Sequence, residues 1–185
     1  SHDLKTPIAK IYGVLDLMKK KFGNQDLLMR DIGQLESSTT ELHRFISSIL
    51  DLTKVESNKF KINKKLKEIN SIIEHVYNDF SEVAHEKDIS IILDLETLFP
   101  ITVDTELITR VISNLVENAL KYSREGDSIL ISSSDIGDWV EVRIKDSGPG
   151  IIEKDLKHIF EKFYRAKNNA NEIIKGSGLG LYLVK

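Results

Sequence analysis

Two runs of apolar residues at alternating four- and three-residue spacing limit what the first third of the chain can become. Leu4, Ile8, Ile11, Leu15, Met18 and Phe22 form the first run. Leu28, Ile32, Leu35, Thr39, Leu42, Ile46 and Ile49 form the second, widened toward its end by Phe45 and Leu52. Such spacing draws one stripe along a helix and demands something to cover it. Gly23-Asn24-Gln25 breaks the pattern and suits a turn. The expected product is an antiparallel helical hairpin. One hairpin covers only one face of each helix, so two hairpins joined as a four-helix bundle would bury the stripes fully. A homodimer through residues 2–56 is therefore expected, with Thr39 helping to fix register. The alternative is a stripe docked within its own chain.

Val55-Glu56-Ser57-Asn58-Lys59 ends the helical pattern and opens a polar linker. This divides the chain into residues 1–57, the hairpin, and residues 58–185, a second domain. A short strand is expected at Phe60-Lys61-Ile62. Ile69, Ile72, Ile73, Val76, Phe80 and Val83 trace an amphipathic helix ending near Lys87-Asp88. Ile89–Leu93 and Ile101–Val103 read as strands, and Asp104 as the N-cap of the next helix. Ser128–Ser132 and Trp139–Lys145 are strands by alternation and β-branched content, with Gly137-Asp138 turning between them. The class is α+β, a sheet layered against helices. Neither a G-x-G-x-x-G after a first strand nor a G-x-x-x-x-G-K-[ST] loop is present.

Four short strings carry the chemistry. In Asn114-Leu115-Val116-Glu117-Asn118-Ala119-Leu120-Lys121-Tyr122, the two asparagines stand at i and i+4 and share one helix side. The hard amide oxygen of Asn118 can complete the shell of a Mg²⁺ held mainly by phosphates and water. Lys121 follows one turn later and can reach the same phosphates as a point charge. Alone, such an asparagine pair is usually solvated or capping. In Asp146-Ser147-Gly148-Pro149-Gly150, Asp146 ends a strand, where a buried carboxylate can accept from an adenine amine and reject guanine. Alone, it reads as an ordinary turn. Phe160-Glu161-Lys162-Phe163-Tyr164-Arg165 comes next, inside a charge-rich stretch, 152–175, read as a mobile lid with Phe160 and Phe163 as hinges or latches. Gly176-Ser177-Gly178-Leu179-Gly180 then opens an apolar helix and leaves backbone N–H groups for phosphate.

In this order and spacing, and with Ser1-His2-Asp3-Leu4-Lys5-Thr6-Pro7 at the front, the four strings resemble the kinase core of sensor histidine kinases. The resemblance covers nearly the whole chain. It implies a dimerisation and phosphotransfer hairpin followed by a two-layer α/β sandwich of the GHKL ATPase type. It implies ATP and Mg²⁺ as cofactors and a response-regulator receiver domain as partner. His2 would be the phosphoacceptor, with Asp3 accepting the second ring proton as general base and orienter. Thr6 would assist dephosphorylation, although Thr6-Pro7 reads equally as a helix start with Thr6 as N-cap. Arg165 matches the lid arginine; Lys162 is as well read as solvent-facing. Asn114, Asn118, Lys121, Tyr122, Asp146, Gly148, Gly150, Gly176, Ser177, Gly178, Leu179 and Gly180 would surround the nucleotide, with Asn118 on the metal.

Net charge is −3, so no basic field points to nucleic acid. Without cysteine, disulfide and thiol chemistry are excluded. No apolar run of membrane-spanning length occurs. The chain opens inside one motif and stops within another. A longer parent is expected, and the resemblance implies a cytoplasmic kinase portion with a membrane anchor in segments outside this sequence. His43, His75, His85 and His158 lack metal-ligand spacing. The rival readings are a non-catalytic, nucleotide-gated dimer or scaffold, another ATPase on the same fold, and a phosphatase-dominant member of the same family.

Overall fold

The computed structural model describes residues 2–22, 26–56, 62–166 and 177–185. The chain divides into two compact units, Ser1–Phe60 and Lys61–Lys185.

The first unit is a hairpin of α1, His2–Phe22, and α2, Asp26–Glu56. The turn expected at 23–25 lies outside the described residues. Because α1 already runs from His2, Thr6-Pro7 falls inside it, and the alternative of a helix starting there does not hold. Ile8 and Leu15 of α1 are buried against α2, where Ile32, Thr39 and Leu52 are buried in turn. The Thr39 hydroxyl donates to the Leu35 carbonyl at 2.8 Å, so this polar residue is satisfied within its own helix. Tyr12 and Thr40 share a hydroxyl–hydroxyl hydrogen bond across the pair, and Lys19 is paired with Glu36. Part of the stripe stays uncovered. Ile11, Leu35 and Leu42 are exposed, and so are Val14, Leu17 and Phe45 beside them.

The second unit layers helices on sheet. In order it holds β1 (Lys65–Lys67), α3 (Ile69–Glu86), β2 (Ser90–Leu95), β3 (Ile101–Val103) and α4 (Thr105–Tyr122). Then come β4 (Ser128–Asp135), β5 (Val140–Asp146), α5 (Glu153–Leu156) and α6 (Gly180–Val184). One sheet runs β2-β4-β5, with β2 parallel and β5 antiparallel to β4. The other pairs β1 with β3, antiparallel, setting Leu66 opposite Thr102. The strand expected at Phe60-Lys61-Ile62 is corrected. Ile62 is not in a strand, Phe60 and Lys61 lie outside the described residues, and the strand is β1. The chain just before β1 is held elsewhere, because the Asn63 N–H donates to Asp104 Oδ2 at 2.7 Å.

The core lies between α3, α4 and the sheet. Ile69, Ile72, Ile73 and Val76 of α3 meet Ile112, Val116, Ala119 and Leu120 of α4 over Ile129 and Ile131 of β4. The helical positions recur at three- and four-residue spacing, and the two on β4 recur at two, so each element turns one apolar face inward. Residues 152–166, expected as part of a lid, hold α5 and a series of turns; 167–175 lie outside the described residues. Among the described residues no helix is long and apolar enough to cross a membrane.

Candidate functional site

The site is built outward from α4. Asp104 caps that helix: its carboxylate accepts from the Leu107 N–H at 3.2 Å and from Asn63 at 2.7 Å. The donors, Asn63 first, hold the Asp104 carboxyl below the usual carboxylate range. The cap fixes where the helix begins, and the buried face of Ile112, Val116, Ala119 and Leu120 fixes its rotation. Asn114 and Asn118 are then carried to one side, both half-buried. Asn114 Nδ2 is buried with no hydrogen-bond partner. A buried amide donor left open is costly, and is accounted for when a ligand supplies the acceptor.

Gly180, the first residue of α6, faces this pair. A β-carbon built there would stand 3.8 Å from Asn114 Oδ1 and 3.9 Å from Asn118 Nδ2. The glycine loop thus runs beside both amides. Leu179 is wholly buried beneath it, and its N–H reaches the Ser177 hydroxyl at 3.3 Å. Gly178 has φ +70°, and a β-carbon there would meet the Phe163 carbonyl carbon at 2.7 Å. The Phe163 N–H donates to the Gly178 carbonyl at 3.0 Å, and Phe163 itself is left-handed, φ 61°. The rings of Phe160 and Phe163 stand exposed. What latches here is the backbone of Phe163, not an aromatic side chain.

One turn beyond Asn118, Lys121 is half-buried. Burial pushes its ammonium below the usual lysine range, the like charge of Arg165 pushes the same way, and Glu117 opposes them. Two cations that feel one another, with a Lys121–Tyr122 ring contact at 5.4 Å, form a locale that favours an anion. Lys162 lies 5.2 Å from the centre of the Tyr182 ring. At the far end of α4, the Tyr122 carbonyl would sit 3.2 Å from a β-carbon on Gly148, and Asp146 Oδ1 2.9 Å from it. A larger residue there would crowd the Tyr122 carbonyl and push the Asp146 carboxylate aside. Asp146, expected as a buried carboxylate, is exposed because it is the last residue of β5; its Oδ1 accepts the Gly148 N–H at 3.0 Å, so the carboxylate is braced by its own loop. Gly150 takes φ +71°.

Asn114, Asn118, Lys121, Tyr122, Arg165, Asp146, Gly148 and the 177–180 loop therefore stand in one chain of neighbours. Gly176 is outside the described residues. His2, Asp3 and Thr6 are in the helical backbone of α1, in the other unit. His158 pairs with Glu161 at 2.7 Å and stacks near Tyr164, and His75 lies 3.7 Å from Asp79. Among the described residues no cluster of three or more His, Cys, Asp or Glu could hold a metal. The donor set suits a cation carried chiefly by phosphates, with Asn118 adding one neutral oxygen. One feature lay beyond sequence reasoning: Asp155 on α5, buried, accepts the Tyr164 hydroxyl at 2.7 Å. That bond holds the phenol above its usual range. Nothing in the polar run Glu153-Lys154-Asp155 marks the third residue as interior.

Two family descriptions match the two ends of the chain. Residues 1–58 match the His Kinase A (phospho-acceptor) domain. Residues 103–185 match the histidine kinase-, DNA gyrase B-, and HSP90-like ATPase. The chain belongs to the sensor histidine kinases. Sensor histidine kinase WalK of Bacillus subtilis is 30% identical over 190 residues, which take in 100% of this histidine kinase chain and 31% of WalK. The chain thus spans under a third of that relative. Among solved structures, full-length ShkA in complex with AMPPNP shares the fold, with a TM-score of 0.80 at 24% identity over 99% of this chain and 38% of that one. ThkA in complex with the response regulator TrrA gives 0.63 at 26% identity over 89% and 48%. The expected combination of helical hairpin and α/β ATPase unit stands.

Proposed function

We propose that this chain is the catalytic core of an ATP-dependent protein-histidine kinase, which phosphorylates His2 and hands the phosphoryl group to an aspartate of a response regulator. The observation that carries the reading is the approach of Gly180 to Asn114 and Asn118, with the Asn114 amide donor buried and open. It joins the glycine loop to the asparagine helix around one small volume. Asp146 would accept the adenine amine, Tyr122 would contact the nucleotide, and Lys121 and Arg165 would face the phosphates. Asn118 would lend its amide oxygen to Mg²⁺, which when bound neutralises phosphate charge. A ring nitrogen of His2 then bonds to the γ-phosphorus as the bond to the leaving ADP oxygen breaks. Asp3 accepts the hydrogen bond of the other ring N–H and stabilises the imidazolium. Thr6, one turn from His2, would orient a water for dephosphorylation of the partner regulator. Positioning and charge stabilisation carry the rate.

The uncovered stripe residues Ile11, Leu35 and Leu42, with Leu17 beside them, support association of two hairpins through residues 2–56. The response-regulator complex of ThkA supports a receiver domain as partner. We assign the parent to the membrane-anchored bacterial sensors, with this chain on the cytoplasmic side. Incorporation of labelled phosphate from MgATP tests the core claim. Acid-labile, base-stable label is expected in the wild type, and none in His2→Gln or Asp146→Asn. Label that persists in His2→Gln would move the acceptor elsewhere.

A further inference from the structure

The Asp155–Tyr164 pair has no part in the chemistry above, yet its carboxylate is buried. Asp155 is 5% exposed. Its Oδ1 takes the Tyr164 hydroxyl at 2.7 Å, and its Oδ2 is buried without a partner. A carboxylate buried on one hydrogen bond is costly to keep. The backbone is organised around it as well: its N–H reaches the Ile152 carbonyl at 2.8 Å, and its carbonyl receives the His158 and Ile159 N–H groups. The Tyr164 ring rests by His158, centroids 5.3 Å apart. An open cleft of about 600 Å³ borders the pair, with Arg165 on its wall.

Two successive residues are thus pinned from different directions. Phe163, in its left-handed conformation, is held by Gly178, and Tyr164 is held by Asp155. A non-glycine residue at positive φ persists only where its surroundings over-determine it. Arg165 is the next residue along, and its charge is felt at Lys121. We propose that Asp155 is a positioning residue: through the Tyr164 hydroxyl it fixes the departure point of Arg165, and so the guanidinium's place at the transferring phosphoryl group. This rests on the kinase reading.

Four variants of the whole chain decide it: Tyr164→Phe, Asp155→Ala, Asp155→Asn, and Tyr164→Phe in an Arg165→Ala background. For each, the rate of His2 phosphorylation is compared with MgADP affinity by calorimetry. Tyr164→Phe and Asp155→Ala are expected to slow phosphorylation on the order of tenfold, since misplacement of a catalytic group by a fraction of an ångström has that scale. MgADP affinity is expected to stay within about twofold, because ADP lacks the transferring group. Asp155→Asn keeps an acceptor for the phenol and is expected to recover most of the rate. In the Arg165→Ala background Tyr164→Phe should cost nothing further. A full second loss there, an unchanged rate in Tyr164→Phe, or affinity falling in step with rate would each overturn the assignment. Amide exchange at Phe163, followed by mass spectrometry, reads the contact without catalysis. Faster exchange in Tyr164→Phe supports the pinning, and unchanged exchange sinks it. If wild type binds MgADP but takes no label, the kinase reading fails while the exchange result still judges the Asp155 contact.

Discussion

Gly178 and Gly150 share a left-handed backbone but not a neighbourhood. A β-carbon on Gly178 meets backbone of Phe163 and Tyr164 under 3.0 Å, whereas one on Gly150 meets nothing within 4 Å. Backbone cannot step aside as a flexible side chain can. Gly178→Ala is therefore expected to cost roughly 2–5 kcal/mol from strain plus overpacking, and Gly150→Ala roughly 1–2 kcal/mol from strain alone. Chemical denaturation of the two variants checks the order, which reversal would refute. Lys121 offers a pH test. Its ammonium is held below the usual lysine range by burial and by Arg165, and bound phosphate would pull it back up. Bound protein then holds the proton more tightly than free protein, so MgADP affinity should fall as pH rises through the free-state value. A titration from about pH 7 to about pH 10 reads this, and Lys121→Arg should flatten it because guanidinium stays charged throughout. The candidate residues were readable as strings because amides, a carboxylate and glycines recur at informative spacings. Asp155 was unreadable, since its burial comes from the turns after α5 and not from its neighbours in sequence.

Among the elements, α4 depends most visibly on one residue. Asp104 serves two donors, one starting the helix and one holding the approach to β1. Its folded pKa is depressed, so its contribution is complete above the ordinary carboxylate value and is lost as pH falls through the lower, folded one. Asp104→Ala should lower the melting temperature at neutral pH, Asp104→Asn should lower it less, and the gap to wild type should narrow as pH falls below the ordinary carboxylate range. A constant gap across that range would detach the effect from the carboxylate. The four long helices, α1 to α4, and the longer strands were legible, because each turns one face inward and its period survives in the sequence. β1 was not. All three of its residues, Lys65, Leu66 and Lys67, are exposed, so no alternation marks them, and only pairing with β3 makes them a strand. β4 runs on past the expected Ser132 to Asp135 for a related reason. Ser133 is a poor strand former, yet it is buried because its hydroxyl donates to Asn70 Oδ1 at 2.7 Å.

At the scale of the molecule, two units with different needs share one chain. The hairpin leaves Leu17 at 67% and Leu35 at 54% exposed, a cost that association would remove. Leu35→Glu is expected to shift sedimentation from dimer toward monomer and to make thermal unfolding less dependent on concentration. A variant that sediments like wild type would point the stripe at its own chain instead. The helical period is lost near residue 57 and the chain divides into compact units between Phe60 and Lys61, whereas the parallel pairing of β2 with β4 was not readable, because pairing partners leave no local mark. That pairing has a temporal consequence. α1 and α2 join residues close in sequence, while β2 cannot close on β4 until β3 and all of α4 have been made. Local contacts form quickly, and crossover sheets form slowly. On a ribosome the hairpin is complete well before the nucleotide unit. Its open stripe is then available to a neighbouring nascent chain while the catalytic half is still unmade, so the subunits could pair during synthesis, before either can bind ATP.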